Sequence, residues 1–130
     1  MIETISNYIQ NTESQEYKEA QDVLKKQIAL LEEIHSSKES ILIANTLNAL
    51  GYAYHIEGEL VLAEKYKRQA IEMYDRLKMG DNIYHAVALL SLSYLYFDEG
   101  RYDETRPLVQ EALDMLKRVY HDNHQEIAFA

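Results

Sequence analysis

The sequence predicts an all-α chain, built as a solenoid of antiparallel helix hairpins with about three repeats. Three observations carry that expectation. Ala44, Leu47, Leu50, Tyr52, Tyr54, Glu57, Gly58, Ala70 and Met73 return as Ala86, Leu89, Leu92, Tyr94, Tyr96, Glu99, Gly100, Ala112 and Met115, each 42 positions later. A fixed step of this size marks a supersecondary unit that stacks on copies of itself. The 130 residues include four glycines and one proline, too few for a turn-rich β fold. The apolar residues also recur at helical spacing.

Taken in order, Ile2, Ile5, Tyr8 and Ile9 predict a short first helix, in register with the later repeats. It is more polar than they are, as a terminal capping unit is. Asn11 to Ser14 reads as a turn, with Thr12 and Gln15 at capping-box spacing. Tyr17, Ala20, Leu24, Ile28 and Leu31 predict a second helix running to Ile34. Ser36 to Glu39 is the next turn, again with Ser-x-x-Glu spacing. The third helix is expected over 39–56, closed by Gly58, because a left-handed glycine ends a helix at low cost. The fourth covers 59–79 and stops at Gly80-Asp81. The fifth covers 82–98, with Gly100 in the role of Gly58, and the sixth 102–120. Pro107, inside the sixth, forfeits a backbone bond and predicts a kink near Asp103. His121 to His124 reads as a polar turn and 126–130 as the start of a further helix. The expected repeats are 2–36, 39–79 and 82–120, in a single domain over 1–130.

Composition excludes several functions. Lys and Arg number 13 against 22 Asp and Glu, a formal charge of −9. That argues against non-specific nucleic-acid binding, which needs cations to displace counterions, and against an anionic membrane surface. There is no cysteine, hence no disulfide framework or thiolate metal site, which fits a cytoplasmic setting. The N-terminus lacks the basic region of a signal peptide, and no apolar run reaches membrane-spanning length.

The order Leu50-Gly51-x-x-Tyr54-x-x-x-Gly58, then Ala63 and Ala70, resembles the tetratricopeptide repeat. The step of 42 is similar to the longer repeats of kinesin light chains and bacterial relatives, against about 34 in the standard repeat. Arg106-Pro107-Leu108, Thr46-Leu47-Asn48-Ala49-Leu50 and His124-x-Glu126-Ile127-Ala128 are similar to stretches of those repeats. The resemblance implies a right-handed α-solenoid whose small residues let paired helices approach. Four positions depart from the pattern: Ser93 stands where Gly51 predicts glycine, Thr105 where Ala63 predicts alanine, Lys67 at a usually aromatic position, and Gln125 at a usual proline.

Nothing points to catalysis, so no enzyme, cofactor or metal is expected. His121, Asp122, His124 and Glu126 lie in the expected turn, without the i, i+4 histidine pair of helical metal sites. Ser91 and Ser93 have no nucleophile context. The short basic patches are interleaved with acids, as paired helix surfaces are.

The eleven tyrosines are more informative. Tyr54 and Tyr96 belong to the packed face, whereas Tyr52 and Tyr94 lie about 200° away around the helix. In the resembling family that side lines a concave groove. The groove set is then Glu3, Ser6 and Gln10; Asn45, Asn48, Tyr52 and His55; and Val87, Leu90, Tyr94 and Phe97. Alternatively, Tyr52 and Tyr94 pack on each other between hairpins. The resemblance implies that Asn45 and Asn48 bond a peptide backbone, while the aromatic and aliphatic residues take side chains.

The expected function is a protein–protein interaction module that binds a peptide or protein surface, as a scaffold or adaptor. A peptide-sensing regulatory domain and a self-assembling repeat are the alternatives. The expected partner is neutral, apolar or basic, with no nucleic acid and no membrane, because 41–57 and 83–99 contain no Lys or Arg. Leu108, Val109, Ala112, Leu113, Leu116 and Val119 form a stripe broader than one hairpin covers, which predicts a homodimer through the C-terminal helix.

Overall fold

The computed structural model describes the backbone of residues 2–34 and 40–128, with side chains over 15–34 and 40–121. Five helices follow in order: α1 (Ile2–Ile34), α2 (Ile41–Glu57), α3 (Leu60–Leu77), α4 (Ile83–Asp98) and α5 (Tyr102–Ala128). No strand occurs among the described residues. α2 packs on α3 and α4 on α5 as hairpins; α1 lies against α2, and both α2 and α3 touch α4. This is an all-α helical-repeat fold.

The 42-residue step is visible in individual bonds. Ser40 caps α2 by accepting from the Ile43 amide at 3.1 Å, and Asn82 caps α4 by accepting from the His85 amide at 2.8 Å. Each oxygen satisfies one of the free amides of a first turn. At the other end Gly58 and Gly100 take φ of 87° and 77°. The amide of Glu59 donates to Tyr54 at 2.9 Å, and that of Arg101 to Tyr96 at 2.8 Å. This wraps both helix ends in the same left-handed closure.

Burial follows the same register. Ala44, Leu47, Ala70 and Met73 join one core cluster; Ala86, Leu89, Ala112 and Met115 join its counterpart one step on. Between them, Leu50, Tyr54, Ala63, Leu92, Leu95 and Tyr96 fill the seam between the hairpins. The Tyr96 hydroxyl donates to Glu64 at 2.7 Å and meets Arg68, tying α4 to α3.

The expected turn at Asn11 to Ser14 does not form: α1 is continuous, so the expected first hairpin is a single helix. No glycine or proline interrupts this stretch. Asn, Thr and Ser each disfavour a helix interior by well under about 1 kcal/mol, too little to break it. The expected turn at His121 to His124 is likewise helical, and the sixth and further helices are one, α5. α5 also continues through Pro107. The Ser36 to Glu39 turn lies outside the described residues, as do the side chains of Glu3, Ser6 and Gln10.

Candidate functional site

α2 and α4 begin the two hairpins and lie side by side. A groove of about 430 Å³ opens between them, lined by Asn45, Asn48, Ala49 and Tyr52 from α2 and Val87, Leu90, Ser91 and Tyr94 from α4. A second hollow of about 360 Å³ shares Asn45, Asn48 and Val87 and extends the groove past Tyr74, Ile83 and Tyr84. Six of the eight residues selected from sequence on α2 and α4 thus line one surface. They do so because helical period and repeat register together determine which side of α2 and α4 is left open.

Positions related by the repeat carry opposite chemistry across the groove. Asn45 and Asn48 on α2 correspond to Val87 and Leu90 on α4, so one wall is polar and the other apolar. Tyr52 is 51% exposed and Tyr94 54%, which leaves aromatic surface at the mouth. The ring partner of Tyr94 is His55, at 4.7 Å between centroids. Asn45 Oδ1 accepts from the Tyr74 hydroxyl. Asn48 Oδ1 and Ser91 Oγ are buried and have no hydrogen-bond partner among the described residues. A buried polar atom left unpaired costs about 1–3 kcal/mol. Water or a ligand in the groove can supply such a partner.

His55 is not a groove-lining residue, contrary to the sequence expectation. It is 7% exposed, and both ring nitrogens are engaged. Lys67 Nζ donates to Nδ1 at 2.8 Å, and Nε2 lies 2.7 Å from Asp98 Oδ2. Lys67 is fully buried and also donates to the Ser91 carbonyl at 2.8 Å. Burial pushes its ammonium down to about 8, against the opposing pull of Asp98. Phe97 stands outside the lining too, exposed and packed edge-on against Tyr102 at 5.5 Å.

Sequence reasoning missed Lys67, Ala49 and Ser91. The signal for Lys67 was its place at a usually aromatic position, opposite Gly51. A Cβ on Gly51 would lie 2.6 Å from Lys67 Cγ, so the missing side chain is the space the lysine stem fills. Ala49 and Ser91 are one repeat apart and lie one residue beyond Asn48 and Leu90.

No charged residue lines the groove, and α2 and α4 carry no Lys or Arg. Of the acids at its end, Asp98 is held by His55 and Glu99 lies 3.8 Å from Arg101. No group of three metal-ligating side chains occurs among the described residues, and no helix there is long and apolar enough to cross a membrane.

Residues 85–126, which run from the first turn of α4 almost to the end of α5, match the tetratricopeptide repeat family. The α4–α5 hairpin is thus a tetratricopeptide repeat. Tetratricopeptide repeats are non-catalytic modules that mediate protein–protein interaction and scaffolding. Two of the four departures from the tetratricopeptide pattern mark crossings within hairpins: Lys67, which faces Gly51, and Ser93, which replaces glycine. No curated protein matches the chain.

Proposed function

We propose that the α2–α4 groove binds an extended peptide segment of a partner protein, and that the chain works as an adaptor. One observation carries the reading. The groove combines apolar and aromatic walls with two buried polar atoms, Asn48 Oδ1 and Ser91 Oγ, that lack partners among the described residues. A peptide backbone supplies donors at such positions, and its side chains fill the two hollows on either side of Asn48. Tyr52, Tyr94, Leu90 and Val87 act as apolar contacts, with aromatic anchors carrying most of the energy. Asn45 presents its amide beside Asn48, and Phe97 extends the apolar rim. The uncharged lining supports a neutral, apolar or basic ligand.

Selection of random peptides by display on the wild-type protein tests this. The selected peptides carry apolar anchors and few acids, and they lose at least tenfold in affinity for a Tyr52→Ala/Tyr94→Ala variant of unchanged helicity. Retained affinity for that variant removes the groove assignment.

A homodimer through α5 is the second reading, favoured by Leu113 and Tyr120, which are 43% and 51% exposed on that helix. Sedimentation of wild type and Leu113→Glu at high micromolar concentration decides it. A dimer that becomes monomeric supports the reading; a monomeric wild type removes it.

A further inference from the structure

We propose that Lys67, His55 and Asp98 form a proton-sensitive brace behind the α4 wall of the groove, so that a second proton on His55 displaces Tyr94. The inference rests on the groove reading above, because it concerns the regulation of that same site.

Hydrogen-bond chemistry assigns the protons. An ammonium only donates, so Nδ1 of His55 accepts from Lys67. The single proton of the neutral imidazole therefore sits on Nε2 and is donated to Asp98. In this state the ammonium and the carboxylate balance across a neutral ring. The three groups come from three helices, α3, α2 and α4, so the brace joins both hairpins. The titratable groups facing His55 are Lys67 from α3, and Asp98 and the Tyr94 phenol from α4.

A second proton can enter only at Nδ1, the atom that faces the ammonium at 2.8 Å. Two cations at that separation, away from water, repel strongly. One of them must move. The lysine stem is wedged against the Gly51 backbone, where even a Cβ would lie within 2.6 Å of it. The His55 ring is instead backed by Tyr94, which is half exposed and has solvent on its far side. The displacement passes to Tyr94. It also strains the Lys67 bond to the Ser91 carbonyl, and Tyr94 and Ser91 both line the groove. Lys67, His55 and Asp98 are thus positioning residues for the site.

His55→Gln separates titration from packing. A glutamine amide offers an oxygen to Lys67 and an N–H to Asp98, and it takes up no proton in this range. In isotope-labelled protein without ligand, wild type at pH 7.5 shows His55 protonated on Nε2, with close ring contacts to Tyr94. Those contacts vanish once His55 takes up its second proton on acidification, whereas the Tyr94 signals of His55→Gln stay constant. Lys67→Met, which removes the facing ammonium, also keeps Tyr94 in place and serves if His55→Gln does not fold. Protonation on Nδ1 at pH 7.5, unchanged Tyr94 contacts in wild type, or equal movement in the variants overturns the brace. No peptide enters this experiment, so its failure is distinct from failure of the groove, which the display selection judges.

Discussion

At position 51 the α2–α3 hairpin has a glycine, and one step on, at position 93, the α4–α5 hairpin has a serine. The residues facing these crossings diverge in parallel: Lys67 in the first hairpin corresponds to Val109 in the second. Their skeletons are otherwise alike, with matching caps, matching left-handed closures and matching buried alanines. In α4–α5, Ser93 turns its hydroxyl back on its own helix, donating to the Leu90 carbonyl at 2.7 Å. In α2–α3, the absent side chain admits a lysine that reaches across to α4. The difference teaches where the skeleton ends and the site begins. The repeat specifies helices and caps, while the substitutions at the crossing decide what stands behind the groove.

The largest expected effect is at that glycine. Gly51→Val places a branched side chain where even a Cβ meets the Lys67 amide nitrogen at 3.0 Å and the Ala63 carbonyl at 3.1 Å. Backbone atoms yield little, so the loss in urea unfolding is about 3 kcal/mol. Ser93→Ala forfeits one bond within its helix and loses about 1 kcal/mol or less. Equal losses at the two positions would break the comparison.

Lys67 gives the next effect, read through pH. Its folded-state value lies near 8, below the usual 10.5, because burial disfavours the charge. Between these values the unfolded chain binds more protons than the folded one, so stability rises with pH. From pH 8 to 10 the wild type gains about 2 kcal/mol from this group. Lys67→Met lacks that gain. Above pH 10 the raised phenols of Tyr74 and Tyr96, each pushed up to about 12 chiefly by burial, act in the opposite sense. A variant whose stability follows the wild-type pH profile between 8 and 10 would contradict a buried ammonium.

The caps sharpen the comparison from the side of sameness. Ser40→Ala and Asn82→Ala each lose about 1 kcal/mol, and the two losses agree within about half that amount. A cap that matters in one hairpin alone would show that the skeletons are less equivalent than their bonds suggest.

Much of this was legible in the sequence, for local reasons. The 42-residue step and the helix ends at Gly58 and Gly100 follow from periodicity, which needs no knowledge of side-chain partners, and six groove positions follow from that register together with the resemblance to tetratricopeptide repeats. The turn expected at Asn11 to Ser14 failed because polar residues without glycine or proline only weakly oppose a helix. His55 failed for a different reason. Its register places it near the groove, but its direction is set by Lys67 on α3 and by Asp98, 43 residues away on α4. Such a network depends on how three helices meet, which no single helical pattern encodes. The lysine at a usually aromatic position was the trace it left in the sequence.

The most direct test is to map a display-selected peptide onto the protein by amide and side-chain NMR. The largest shifts are expected at the Asn48 side-chain amide, Ser91, Leu90, Tyr52 and Tyr94, with α5 unaffected. Shifts concentrated on α5, or spread over α1 with the Asn48 amide unchanged, would contradict a binding groove between α2 and α4.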